Sequence, residues 1–223
     1  MNITLKPYFT QLWLALLLSG MSMLVGSIVS SASSINIGDS YGGGIVFYIF
    51  QDGDIEFIYG ETHGLIASKA DISVIYSDTF HDNTSLPAMY RWSTGQFNNE
   101  NTTDYALQEV PLLFHQIGGG DLSTKNILKI YPSLSYPYSA AAVAQASREG
   151  GYEDWFLPNK EELNKLYLNK SVVGGFSDKY LYWSSSQYAG YTKKFACTQD
   201  FNNGNQDGDW KHHFCKVRAI RKF

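Results

Sequence analysis

The chain has 223 residues, 44% of them hydrophobic, 15% aromatic and 17% charged, with a net charge of −4. This composition excludes disordered and fibrous classes and predicts one globular domain with a sizeable core. The acidic balance supplies no global field for a polyanion, which argues against nucleic acid as a partner.

Residues 1–32 read as a secretory signal. Lys6 is the only charge, Leu12 to Val29 is mostly apolar or small, and Ser30-Ser31-Ala32 offers small side chains to a signal peptidase. The apolar run approaches the length of a membrane span, so an uncleaved anchor is the alternative, although Ser19, Gly20, Ser22, Gly26 and Ser27 dilute it. Cleavage removes Lys6 and no acid, so the −4 of the whole chain becomes −5 for the domain of residues 33–223. Export would place Cys197 and Cys215 in an oxidising compartment, which favours a disulfide. A zinc site is not predicted: His212 and His213 lie near Cys215, but neighbouring residues on a strand point to opposite faces.

Further along, "GDSYGGGIVFYIF" runs from a glycine-rich turn into a strand at Ile45 to Phe50, and Asp52-Gly53 is a hairpin signal that returns the chain toward "IEFIYG". Gly42 to Gly44 precede a strand and no Lys-Ser/Thr follows, so they are not a phosphate loop. "HGLIASKAD" predicts another short strand, and residues 72–111, rich in Asn, Thr and aromatics, predict long loop structure. Ser123 or Thr124 is placed as the cap of a short helix whose buried side carries Ile127, Leu128 and Tyr131. Ser139 caps an Ala-rich helix that Gly150-Gly151 stops. Asn159 with Glu162 three residues on forms a capping pattern for a helix burying Leu163, Leu166 and Tyr167, with Trp155 and Phe156 adding core area just before it. Gly174-Gly175 closes that region.

For the last strands, pairing Cys197 with Cys215 gives a hairpin whose partners sum to 412. Phe195 then meets Val217, Lys194 meets Arg218, and "FNNGNQDGDW" becomes the connecting loop. The disulfide would close a loop of about 19 residues and contribute about 3 kcal/mol. Lys211, Lys216, Arg218, Arg221 and Lys222 crowd the last thirteen residues and allow a local basic face.

"GGGIVFYI", "HGLIA", "IGGG…STKNI", "AAAVAQASREGGYEDWFLPNKEELNKLY", "GGF", "YWSSSQY" and "VRAIRKF" resemble, in that order, the Lcl C-terminal-like domain family, named from the C-terminal domain of the Legionella collagen-like adhesin. The resemblance covers roughly residues 37–223. It implies an α+β fold, a C-type lectin-like single domain related to formylglycine-generating-enzyme-like folds, with short twisted antiparallel sheets, two main helices and long ordered loops. It also implies adhesion, because the namesake binds sulfated glycosaminoglycans through a trimeric C-terminal domain on a collagen-like stalk. This chain differs in having no collagen repeat, an acidic charge, and Ala144 and Ala146 where the family's Ala-rich helix often carries a Cys.

A glycan site needs aromatic faces for sugar rings and polar or cationic groups for hydroxyls or sulfates. Tyr188, Tyr191 and Trp210 are the aromatic candidates, and Lys193, Lys194, Lys211, His212 and Lys216 the cationic ones. The competing reading places Tyr182 and Trp183 in the core, pairs Arg218 with a structural carboxylate and leaves the lysines as solubilising charge. Calcium is considered because "NNGNQDGD" at 202–209 offers Asn and Asp oxygens, but surface turns have the same content, and no cofactor is assigned. Catalysis of the formylglycine-generating type is the lesser alternative: the two cysteines read as a staple, and Ser184 to Ser186 lack a nucleophile-elbow context. The expectation is a secreted or surface-exposed, non-catalytic binding or adhesion module with glycans as first ligand class. The alternative is a protein-binding domain using the loops 72–120.

Overall fold

The computed structural model describes residues 34–73, 88–93, 110 and 114–223. The predicted signal segment and most of the 72–120 loops lie outside the described residues. Among the described residues the protein is mixed helix and sheet. One antiparallel sheet has the order β1 (Ser40–Tyr41), β2 (Gly44–Ile49), β3 (Gly64–Ala67), β7 (Ile220–Lys222). A second has the order β4 (Leu181–Gln187), β5 (Phe195–Asp200), β6 (Gln206–Trp210). Four helices accompany them: α1 (Gly120–Ile130), α2 (Ala140–Gln145), α3 (Lys160–Leu168) and α4 (Lys170–Val173).

The central strands are buried on both faces, so their apolar residues alternate between two clusters and not between core and solvent. Val46, Ile66, Trp183, Ala196 and Ala219 join the cluster that includes Ile127 of α1 and Ala140, Ala141, Val143 and Ala144 of α2. Their chain neighbours Phe47, Leu65, Tyr182 and Ile220 join the cluster that includes Leu163 and Leu166 of α3. Burying each large apolar side chain stabilises by about 2 kcal/mol.

The helix signals are borne out with two corrections: the Ala-rich helix ends at Gln145, before Gly150-Gly151, which lie in a separate 3-10 turn; the other concerns α1. Ser139 Oγ accepts from Ala142 N, and Asn159 with Glu162 completes a capping box for α3. Ser123 and Thr124, however, lie inside α1, which starts at Gly120 with Gly119 before it. The reason is tertiary: Glu162 Oε1 accepts the N–H groups of Gly118 (2.9 Å) and Gly120 (3.1 Å), so the carboxylate that closes the α3 cap also caps α1. The Thr124 hydroxyl is thereby free to bind Leu157 N and O, both at 3.1 Å. No helix among the described residues is long and apolar enough to cross a membrane.

The strand pairings differ from expectation in two places. Residues 51–60 form turns and no strand; β2 pairs with β3 instead, and Ile55 N donates to Ile117 O. The glycine triplet has a packing role here, since a Cβ on Gly43 would stand 2.8 Å from Glu149 O and one on Gly150 only 2.3 Å from Gly43 Cα. At the other end β5 pairs with β6 as Phe195↔Trp210, Ala196↔Asp209 and Cys197↔Gly208, a sum of 405 and not 412. The segment read as a connecting loop is a tight turn plus a strand, and Cys215 bridges to Tyr90.

The disulfide is therefore overturned: Cys197 and Cys215 are free, buried thiols on different ladders. Cys197 Sγ donates to Gln187 O at 3.5 Å and Cys215 Sγ to Asp209 Oδ2 at 3.8 Å. Burial pushes the Cys197 thiol up to about 11 and raises that of Cys215 further, so both stay protonated.

Candidate functional site

The β4–β5–β6 sheet is covered by α3 over only part of one face. Gln199 Nε2 donates to Asn164 Oδ1 (2.9 Å) and Gln206 Nε2 to Lys160 O (2.7 Å), tying that end of the sheet to the helix. Two register positions away on the same face, beyond these ties, lie Cys197 and Gly208, and then Phe195 and Trp210. Tyr188 and Tyr191 come from the β4–β5 connection, which Tyr188 N to Phe195 O (3.1 Å) and Phe195 N to Tyr191 O (2.9 Å) hold closed.

These side chains form a continuous aromatic strip. Ring centroids are 5.7 Å apart for Tyr191 and Phe195, 4.6 Å for Phe195 and Trp210, and 5.4 Å for Trp210 and His212. Tyr188 flanks Phe195 at 6.5 Å. Tyr191 is 63% exposed, and Tyr188, Phe195, Trp210 and His212 are half-buried. The strip is held by polar contacts beneath it: Asp209 Oδ1 accepts from Trp210 N (2.8 Å) and sits 2.7 Å from His213 Nδ1. Lys194 Nζ lies 5.9 Å from the Trp210 ring centroid, a cation–π contact at the edge of its range.

Of the eight predicted ligand residues, six lie at this surface. Tyr188, Tyr191, Trp210 and His212 make the strip, and Lys193 and Lys194 are exposed beside it. Lys211 and Lys216 do not belong to it. Lys211 is fully buried, donates to Gln187 Oε1 at 2.7 Å and stands 4.3 Å over the Trp92 ring. Lys216 is 9% exposed with Nζ 3.8 Å from Asp71 Oδ2. Sequence reasoning missed Phe195, the ring that joins Tyr191 to Trp210; the 412 register had placed it against Val217, inside the sheet.

Arg218 binds a structural carboxylate, its Nη2 2.8 Å from Asp71 Oδ1, and Tyr182 and Trp183 are fully buried. Ser184 to Ser186 are fully buried as well, with Ser184 Oγ donating to Cys197 O. In the 202–209 segment, Asn203 Oδ1 accepts from Asn205 N, an ordinary turn bond, and Asp207 Oδ1 accepts from Gly208 N within β6. Among the described residues no group of three His, Cys, Asp or Glu is placed to hold a metal ion.

A separate cleft of about 240 Å³ is lined by residues including Glu56, Asp121, Glu153, Asp154 and Lys222. Its carboxylates are already matched by the protein's own cations. Lys222 Nζ is 2.8 Å from both Glu56 and Asp121, Arg148 reaches Glu153 at 3.5 Å, and Arg221 holds Asp154 below the usual carboxylate range through a 2.7 Å contact.

A comparison of the chain with protein-family models finds no match, and a comparison with curated proteins finds none either.

Proposed function

We propose that the protein is an exported, surface-acting and non-catalytic binding or adhesion module of the lectin-like kind, related to Lcl C-terminal domains, and that its ligands are glycans. The observation that carries this reading is the aromatic strip from Tyr191 through Phe195 and Trp210 to His212, half-exposed on a rigid sheet. Folding normally buries such rings, and large apolar side chains left on a surface mark an interaction site. A row of rings suits an extended chain of sugars, whose C–H faces stack while hydroxyls meet the polar groups alongside.

The non-catalytic part of the reading is supported by the state of the nucleophile candidates. Both thiols are buried and protonated, and the serine run is enclosed. A glycan-array screen of the purified protein against the Trp210→Ala variant tests the proposal. Glycan signals that the variant loses are expected. An array empty for the intact protein would remove glycans as ligands and bring forward the protein-binding alternative, with the loops 72–120 as its surface.

A further inference from the structure

The basic C-terminus is turned inward. Lys211, Lys216, Arg218 and Arg221 are 0%, 9%, 1% and 8% exposed. Lys216 and Arg218 end on Asp71, and Arg221 makes a bidentate pair with Asp154 at 2.7 and 2.8 Å. Lys222 bridges Glu56 and Asp121. Turning Lys216, Arg218, Arg221 or Lys222 outward to a sulfate would leave a carboxylate without its partner, and Lys211 is enclosed against Gln187 and Trp92, so they are braces and not a ligand face.

What remains beside the aromatic strip is a pair of lysines. Lys193 and Lys194 are exposed on the β4–β5 connection, while Asp207 and Asp209 alternate to the face of β6 opposite Gly208 and Trp210. Two lysines are not a cluster, and Lys194 is also engaged with the Trp210 ring. By sequence, residues 74–87, 94–109 and 111–113 contain no Lys or Arg and carry Asp78, Asp82, Glu100, Asp104 and Glu109. A polyanion is bound chiefly through clustered Lys and Arg that replace its counterions. That cluster is missing from this surface among the described residues.

We infer that the ligand of the strip is an uncharged polysaccharide and not a sulfated one. The inference rests on the glycan reading above and narrows it. Sugar rings stack on Tyr191, Phe195 and Trp210, and hydroxyls hydrogen-bond to Lys193. Binding of an uncharged chain releases few counterions, so its affinity is nearly flat with salt.

The test is an array carrying neutral polysaccharides, including dextran, galactomannan and xyloglucan, beside dextran sulfate and heparin, with each hit titrated calorimetrically on the full chain. The expected result is a neutral hit whose Kd changes less than about twofold between about 50 and about 500 mM salt. Trp210→Ala should weaken it about tenfold or more while Trp210→Phe retains most of it, and Lys194→Gln should stay within about threefold. Melting curves of each variant separate lost stacking from lost folding. Hits confined to sulfated chains, weakened about tenfold by salt and by Lys194→Gln, would overturn this inference and leave the glycan reading intact. No hit on either class would overturn both.

Discussion

The Tyr188 ring rests on the bare backbone of Gly208. A Cβ added at Gly208 would stand 2.5 Å from Tyr188 Cγ, so the glycine is there for space. Gly208→Ala should push Tyr188 off the strip, cost about 1–2 kcal/mol of stability and weaken ligand binding more than that loss explains. Comparison of Kd and melting temperature for the variant checks this. Unchanged binding would place Tyr188 outside the site.

Asp71 is the hinge of a buried polar network. It takes Arg218 Nε at 2.9 Å and the Tyr182 hydroxyl at 3.0 Å, while Arg218 also donates to the carbonyls of Ser68, Gly174 and Gly175. Asp71→Ala strands the Arg218 guanidinium in the interior and should cost about 3–5 kcal/mol in urea unfolding. Adding Arg218→Met should recover part of that loss. Additive losses would show that the two do not act as a pair.

Glu162 sets a pH dependence. It is fully buried, and burial pushes its carboxyl from 4.5 up to about 7, against the pull of the Asn159, Gly120 and Gly118 N–H groups. Because the folded value is the higher one, the folded chain holds a proton that the unfolded chain releases between 4.5 and 7. This contribution is present below that window and is lost as pH rises through it. Relative to Glu162→Gln, the intact protein should lose about 3 kcal/mol of stability across the window. Parallel stability–pH curves for the two proteins would contradict it.

Trp155 is 1% exposed, and its indole N–H donates to Glu149 O at 3.2 Å. Trp155→Ala should cost about 3–5 kcal/mol, lower the melting temperature and leave residual ligand affinity in the folded fraction unchanged. An unaltered melting temperature would refute its place in the core.

Amine-directed labelling followed by peptide mass spectrometry should modify Lys193 and Lys194 quickly and spare Lys211 and Lys216 in the folded state, since burial shields the last two. Equal labelling of all four would return the C-terminal cations to the surface and restore a polyanion-binding face.

Local chemistry was legible where the chain's own neighbours decide the outcome. The α3 cap at Asn159 and Glu162, the Ser139 cap and the burial of Leu163, Leu166 and Trp155 follow from residues within a few positions of one another. The start of α1 was not legible, because its capping carboxylate, Glu162, lies 42 positions away from Gly120. The Cys197–Cys215 pairing failed for a similar reason. A two-cysteine hairpin and the actual β5–β6 ladder differ only in which strand folds against which, and the turn at Gly204, with φ +86°, sets the tighter hairpin.

The sequence by itself determined the Ser139 and Asn159 caps, the strands at Gly44–Ile49 and Gly64–Ala67, and the aromatic side chains available for a site, because propensity and periodicity act over short stretches. Only the tertiary structure decided which charges face solvent. Five cations crowd the last thirteen residues, yet Asp71, Asp154, Glu56 and Asp121, all distant in the chain, draw four of them into ion pairs, and the Trp92 ring takes the fifth, Lys211. An ammonium or guanidinium leaves water only where a partner offsets its desolvation, and where that partner stands is a property of the fold.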